Sequence, residues 1–325
     1  MTMDEDYLCI DLKDCGASDL SSLRKQFTKA SRIEIDCDQC EEEVNYDNLS
    51  SLLQSHSDKL NYIQLTNLGE KFQLGSLGQL PLSVRQIHCY MRESEEPADG
   101  EAEGRKFPNL FEFKQLRALT LSGFNLRENS LKGIEELKDL FFLDLTESEV
   151  PVAELERLKK LTKLKHVYLS SCNLGDKTLV GLLSTNKSIQ ALDVNSNAEI
   201  TDRSMEQIST LRDIRILNVM NLPLITDYYL EEIRSLTALN CQNCPLVSEP
   251  GLMKLLNLAE NLRYLDVKKC RVSNELLEAA LEDVKSRSAK KSLEISVDRV
   301  LKNKWDKLKC SSPLLKITDG TEDDK

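Results

Sequence analysis

Apolar residues along this chain form short strand-like alternations, separated by stretches in which they follow helix spacing. The clearest strand copies read Leu164-x-x-Val167-x-Leu169-x-x-Cys172, Ile189-x-x-Leu192-x-Val194-x-x-Asn197, Leu236-x-x-Leu239-x-Cys241-x-x-Cys244 and Leu262-x-x-Leu265-x-Val267-x-x-Cys270. Alternation with a period of two sends Leu, Ile and Val to one side of a strand and the intervening residues to the other. Taking the last apolar residue of each strand as a marker gives Leu12, Cys37, Leu65, Cys89, Leu121, Leu145, Leu169, Val194, Val219, Cys241 and Val267. The intervals are 25, 28, 24, 32, 24, 24, 25, 25, 22 and 26 residues. Between markers, sets such as Leu155/Leu158/Leu161, Leu179/Leu182/Leu183, Met205/Ile208/Leu211 and Leu276/Leu277/Ala280/Leu281 follow helix spacing. The polar pairs Thr201-Asp202, Thr226-Asp227, Ser248-Glu249 and Ser273-Asn274 stand at the expected helix starts, whose unpaired N–H groups need acceptors.

One strand and one return helix per turn, at this period, predict an α/β leucine-rich-repeat fold. The expected architecture is a right-handed solenoid, a horseshoe with parallel strands on its concave face and helices on its convex face. Residues 1–318 read as a single solenoid of 11–13 repeats. The long fourth interval coincides with residues 92–106, where Glu93, Glu95, Glu96, Asp99, Glu101 and Glu103 mix with Pro97, Gly100 and Gly104. That composition cannot bury enough apolar surface to order itself, so the segment reads as a solvated loop insertion. Leu293-Glu294-Ile295 and Leu315-Lys316-Ile317 predict two further strands, with Val297, Val300, Leu301, Trp305 and Leu308 as a helical stripe between them. Residues 285–318 thus form a capping element over the open end of the core, and 319–325 a disordered tail.

Charge narrows the partners. A net charge of -11 over 325 residues argues against nucleic acid or an anionic membrane, both of which call for a basic footprint. The basic run from Lys285 to Lys309 reads as the solvated face of a capping helix. No apolar run approaches the ~20 residues that span a bilayer. The start Met1-Thr2-Met3-Asp4-Glu5-Asp6 lacks the basic and apolar regions of a signal peptide. The expected compartment is reducing, cytoplasm or nucleus, and the expected state of the isolated chain is a monomer.

Cys37-x-x-Cys40 and Cys241-x-x-Cys244 imitate a four-thiolate metal site. Repeat phase gives them a structural role. Cys15, Cys40, Cys172, Asn197, Cys244 and Cys270 share one slot, three residues past the marker, where a small polar side chain can bond the backbone of the neighbouring turn. Cys37, Cys89 and Cys241 occupy the marker itself and act as small core residues. The two pairs also lie about eight repeats apart, roughly 38 Å at 4.8 Å per strand, too far to share an ion. No metal or other cofactor is expected. With His56, His88 and His166 as the only histidines, and no Gly-rich phosphate loop, His-Glu-x-x-His or Gly-x-Ser-x-Gly, catalysis is not expected either.

Cysteine in that slot, and the Ile-Thr-Asp turns at Ile200-Thr201-Asp202 and Ile225-Thr226-Asp227, resemble the cysteine-containing class of leucine-rich repeats. The likeness is strongest from Leu116 to Val272. This class is best known from F-box/leucine-rich-repeat proteins, substrate receptors of cullin–RING ubiquitin ligases. The resemblance implies a non-enzymatic protein-interaction module, an adaptor for ligation with cullin–RING components among its partners. No F-box is recognisable ahead of the first strand, and Leu80-Pro81, which resembles the start of one, falls inside the array. Two alternatives stay open: a repeat-only scaffold or inhibitor, similar to the antagonists of mitotic exit, and a structural member of a larger assembly.

The outward residues of the strands define the expected partner-binding face. Phe142, Asp144, His166, Tyr168, Asp193, Asn218 and Met220 place aromatic and apolar anchors among carboxylates and amides over consecutive repeats. That mixture suits a protein–protein hot spot. Ile216 and Tyr264 share the same outward phase.

Overall fold

The computed structural model describes residues 7–11, 20–37, 46–54, 58–69, 72, 74–92, 112–126, 130–287, 291–308 and 310–320. Cys15, Cys40, the acidic insertion beyond Arg92 and the tail from residue 321 lie outside the described residues. The chain divides into two compact units, Met1–Leu164 and Lys165–Lys325.

The first unit carries strands β1 (Tyr7–Asp11), β2 (Arg32–Asp36), β3 (Tyr62–Leu68), β4 (Gln86–Met91), β5 (Ala118–Ser122) and β6 (Phe142–Asp144). Each pairs in parallel with the next. Its helices are α1 (Leu20–Phe27), α2 (Tyr46–Leu53) and the single turn α3 (Val152–Leu155). The second unit carries β7 (His166–Tyr168), β8 (Ala191–Asp193), β9 (Ile216–Asn218), β10 (Ala238–Asn240), β11 (Tyr264–Asp266), β12 (Leu293–Ser296) and β13 (Leu315–Thr318), again all parallel. Between them lie α4 (Asp176–Thr185), α5 (Asp202–Ser209), α6 (Glu249–Leu258), α7 (Asn274–Ser286) and α8 (Arg299–Lys307). One parallel strand and one return element per repeat is the expected leucine-rich-repeat α/β solenoid. Among the described residues, markers and those two before them are buried, as at Leu143/Leu145, Leu192/Val194 and Leu265/Val267.

Repeat length selects the return element. The 24-residue intervals from Leu65, Leu121 and Leu145 and the 22-residue interval from Val219 return through 3-10 turns at Leu74–Gln79, Ile134–Glu136, Glu156–Lys160 and Leu230–Glu232. Intervals of 25 or more residues, wherever the return segment is described, contain α1, α2, α4, α5 or α6. A 3-10 turn rises about 2.0 Å per residue against about 1.5 Å for an α-helix, so fewer residues span the same height. This corrects the helix expected over Leu155/Leu158/Leu161, which is one α-turn followed by 3-10. The basic run is corrected likewise. Lys285 ends α7, β12 intervenes, and Lys302, Lys304 and Lys307 lie on α8, whose Trp305 is buried.

Two residues past eight of the markers the chain turns through positive φ, at Asn67, Gly123, Glu147, Ser171, Ser196, Asn221, Asn243 and Lys269. Only Gly123 escapes the steric cost of that conformation. The turn ends the strand and aims the next residue inward, into the ladder slot. There Asn197 Oδ1 accepts from the N–H groups of Cys172 (3.1 Å) and Leu174 (2.8 Å), while Nδ2 donates to the carbonyls of Leu169 (2.8 Å) and Val194 (2.9 Å). The thiols of Cys244 and Cys270 donate to the carbonyls of Val219 (3.1 Å) and Cys241 (3.0 Å) in the preceding repeat. The Cys172 thiol donates to Ser170 O in its own repeat at 3.3 Å. Cys172 and Cys244 are buried and Cys270 is half-buried. Ser148 holds the same slot in the first unit, accepting from Phe124 N (3.0 Å) and donating to Leu121 O (2.6 Å).

A second ladder runs along the helix starts of the second unit. Asp176 accepts from the Thr201 amide (2.9 Å) and hydroxyl (2.6 Å), and Asp202 from the same groups of Thr226 (2.7 and 2.6 Å). Asp227 takes Ser248 (3.3 and 3.1 Å) and Glu249 takes Ser273 (2.8 and 3.0 Å). Each acid beginning one return segment therefore fastens the hydroxyl residue heading the next. Thr201 and Ser273 also cap their own helices; Ser248 makes no such side-chain cap. Burial alone would raise the Asp176 carboxyl, but hydrogen bonds from Ser204 and Thr201 prevail and hold it below the usual range.

Candidate functional site

On the side of the strands away from the buried markers, register lines the outward residues into rows. In the second unit one row runs His166, Ala191, Ile216, Ala238, Tyr264, and the next runs Tyr168, Asp193, Asn218, Asn240, Asp266. Alternation of large and tiny side chains in the first row opens a depression of about 220 Å³. Ala191 and Ala238 leave room on either side of Ile216, which is 49% exposed, while Tyr168 and Tyr264 also line the space. Asp193, Asn218 and Asn240 form its polar border.

The acids and amides of this face have a structural duty that the sequence reading missed. In each case a side-chain oxygen accepts the N–H two residues on, closing the end of the strand. Asp144 holds Thr146 (2.9 Å), Asp193 holds Asn195 (3.0 Å), Asn218 holds Met220 (3.2 Å), Asn240 holds Gln242 (3.0 Å) and Asp266 holds Lys268 (3.0 Å). A carboxylate or amide at this position replaces a backbone partner that the turn cannot supply. Asn218 Nδ2 donates to Asp193 Oδ2 at 2.9 Å, and Asn195 Nδ2 to Asp193 Oδ1 at 2.8 Å. Lys268 sits 3.1 Å from the buried Asp266 carboxylate.

Tyr168, Asp193 and Asn218 thus come together, with Met220 at the strand end beside Asn240 Nδ2 (4.0 Å). His166 opens the first row, its basicity lowered by burial and then by Lys165. Phe142 and Asp144 belong to the first unit, on a different arrangement. There the Arg32 guanidinium lies 4.0 Å from the Tyr62 ring centre and 5.7 Å from that of Tyr7. Glu34 binds Arg32 (2.9 Å) and the Tyr7 hydroxyl (2.8 Å). His88 carries the line of rings onward, 5.3 Å from Tyr62 and 6.0 Å from Phe142, and hydrogen-bonds Thr120 at 2.9 Å. The outward phase of Arg32 and Tyr62 was the signal that could have found them.

Burial, and then the nearby Arg32 charge, lowers the His88 pKa from 6.5 to about 4. The folded state then binds fewer protons than the unfolded chain, so this contribution is present above pH 6.5 and lost as pH falls toward about 4. A His88→Gln variant is expected to flatten the fall in urea midpoint across that window. An unchanged pH profile would remove His88 from the account.

A family model described as Leucine Rich repeat matches residues 160–183 and 185–209. The chain carries leucine-rich repeats and has the leucine-rich-repeat fold. A chain of the Rad7–Elc1 complex of yeast is similar in structure, with a TM-score of 0.63 at 14% identity over 96% of this chain and 73% of that one. A chain of the TLR13–ssRNA13 complex aligns with a TM-score of 0.52 at 16% identity, covering 86% of this chain but 37% of its own. No curated protein matches the sequence. Among the described residues of this leucine-rich-repeat chain, no helix is long and apolar enough to cross a membrane, and no group of three or more metal-ligating side chains could hold an ion.

Proposed function

We propose that this chain is a non-catalytic protein-binding module that takes its partner on the outward strand face of the second unit. The observation carrying this reading is the depression between Tyr168 and Tyr264. Its exposed Ile216 is bordered by polar groups already oriented by their own turns. At about 220 Å³ it falls below the ~300–1,000 Å³ usual for small-molecule sites, which favours one anchoring side chain of a larger partner. Rigid aromatic anchors within a polar border are the usual composition of an energetic hot spot.

Within that role, the cysteine slot and the Ile-Thr-Asp turns resemble those of F-box/leucine-rich-repeat substrate receptors and support an adaptor that works beside a cullin–RING ligase. Structural likeness to a chain from a two-protein complex, Rad7–Elc1, fits a fold that works with a protein partner. Stoichiometric cullin on affinity purification from native cells would support the adaptor. One dominant partner without cullin would support the scaffold reading instead.

Replacing Tyr168, Ile216 and Tyr264 together with Ala is expected to weaken the principal partner more than tenfold, which is about 1.4 kcal/mol. Because these side chains are partly exposed, the variant should stay folded by circular dichroism. Lys254→Ala on α6 removes only the exposed pair with Glu231 and should leave binding intact. Full binding by the triple variant would place the contact elsewhere.

A further inference from the structure

We infer that the depression of the second unit is a subsite for an arginine side chain of a protein partner; this rests on the outward-face reading above. Its border is a row of acceptors. Asp193, Asn218 and Asn240 stand at matched positions of β8, β9 and β10, spaced about 4.8 Å apart by the sheet. Asn218 and Asn240 each offer a carbonyl oxygen that accepts one turn N–H and has a second lone pair for a further donor. Asp193 carries the full charge. Its neighbours are the neutral amides of Asn195 and Asn218, which orient the carboxylate without neutralising it. Among the described residues no lysine or arginine bridges it, in contrast to Asp266, which Lys268 holds at 3.1 Å.

The apolar part completes the match. Ile216, with Ala191 and Ala238 beside it, gives a floor on which an aliphatic stem can lie, and Tyr168 and Tyr264 supply ring faces within the same space. A guanidinium stacks on such rings and presents up to five N–H donors in one plane, whereas an ammonium is a compact, strongly hydrated point charge. Several acceptors in a row beside aromatic rings therefore favour arginine over lysine. A purely apolar anchor would leave the Asp193 charge desolvated with no cation beside it, which costs affinity. A carboxylate or phosphate would meet that charge directly.

The test uses the full chain and two small probes, N-acetyl-arginine methylamide and its neutral isostere N-acetyl-citrulline methylamide, titrated while amide resonances are followed by NMR. The expected result is saturable shifts at Asp193, Asn218, Asn240, Met220 and Gln242. Citrulline should bind at least tenfold more weakly. Asp193→Asn keeps the turn acceptor and should erase the preference, and the amide spectrum itself reports whether the variant is folded. Asp213→Asn, an exposed acid outside the depression, should leave it intact. Equal binding of the two probes, or arginine shifts scattered over other acidic surface, would overturn the subsite. With the natural partner the two claims separate. If Asp193→Asn binds undiminished while the Tyr168/Ile216/Tyr264 variant does not, the outward-face reading stands and the arginine subsite falls. If neither change matters, both fall.

Discussion

Replacing Asn197 with leucine is expected to destabilise the second unit by about 3 kcal/mol or more, the largest effect of any ladder position. Asn197 is buried, and its amide joins two repeats. Oδ1 takes the N–H groups of Cys172 and Leu174, and Nδ2 serves the carbonyls of Leu169, Val194 and Asn195. Leucine fills similar space but satisfies none of these groups. Each buried donor left without a partner costs about 1–3 kcal/mol, so the two orphaned N–H groups alone account for the figure. Cys244→Ala in the same slot loses one thiol donor to Val219 O and a little volume, and should cost about 1–2 kcal/mol. Urea unfolding followed by far-ultraviolet circular dichroism gives both values. A leucine variant within 1 kcal/mol of the parent would show that the ladder contributes little.

Asp283→Ala should be comparably damaging, by about 3–5 kcal/mol, because it strands a buried charge. Arg287 follows the last residue of α7, its side chain 3% exposed, against an Asp283 side chain that is 9% exposed. Nε donates to Asp283 Oδ2 at 2.8 Å and Nη1 donates to Leu262 O in the preceding turn. Nη2 lies 2.6 Å from the same carboxylate oxygen, a close ion pair outside hydrogen-bond geometry. Removing the carboxylate leaves the guanidinium desolvated and uncompensated. The double change Asp283→Ala with Arg287→Met removes both charges and should recover most of the loss, since no uncompensated charge is then left buried. If the double variant is no better than the single one, packing rather than charge explains the damage.

The fold was legible because one period recurs ten times between Leu12 and Val267, and each recurrence independently marks a buried strand position. Strands β12 and β13 could be read for the same reason. Return elements were less legible, because helix-spaced leucines such as Leu155, Leu158 and Leu161 satisfy a 3-10 turn equally well. Interval length, 24 residues or fewer against 25 or more, carries that information. The face was legible as a direction but not in its division of labour. Asp144, Asp193 and Asn218 look like binding residues by phase, yet each also closes its own strand end, a local bond that no spacing rule singles out. Nor does outward phase alone distinguish Ile216 from its neighbours. The alanines at 191 and 238 expose it, and small residues carry little weight in a search for anchors. The bridge between Asp176 and Thr201 was hidden because each residue reads as a cap within its own repeat.

The most direct measurement of the central claim is amide hydrogen exchange of the full chain, free and saturated with its purified partner. Protection is expected at the strand ends bordering the depression, over residues 191–195, 216–220 and 238–242, with the surface of α4, α5 and α6 unchanged. Protection confined to those helices, or to the C-terminal segment around α8, would contradict a partner seated between Tyr168 and Tyr264.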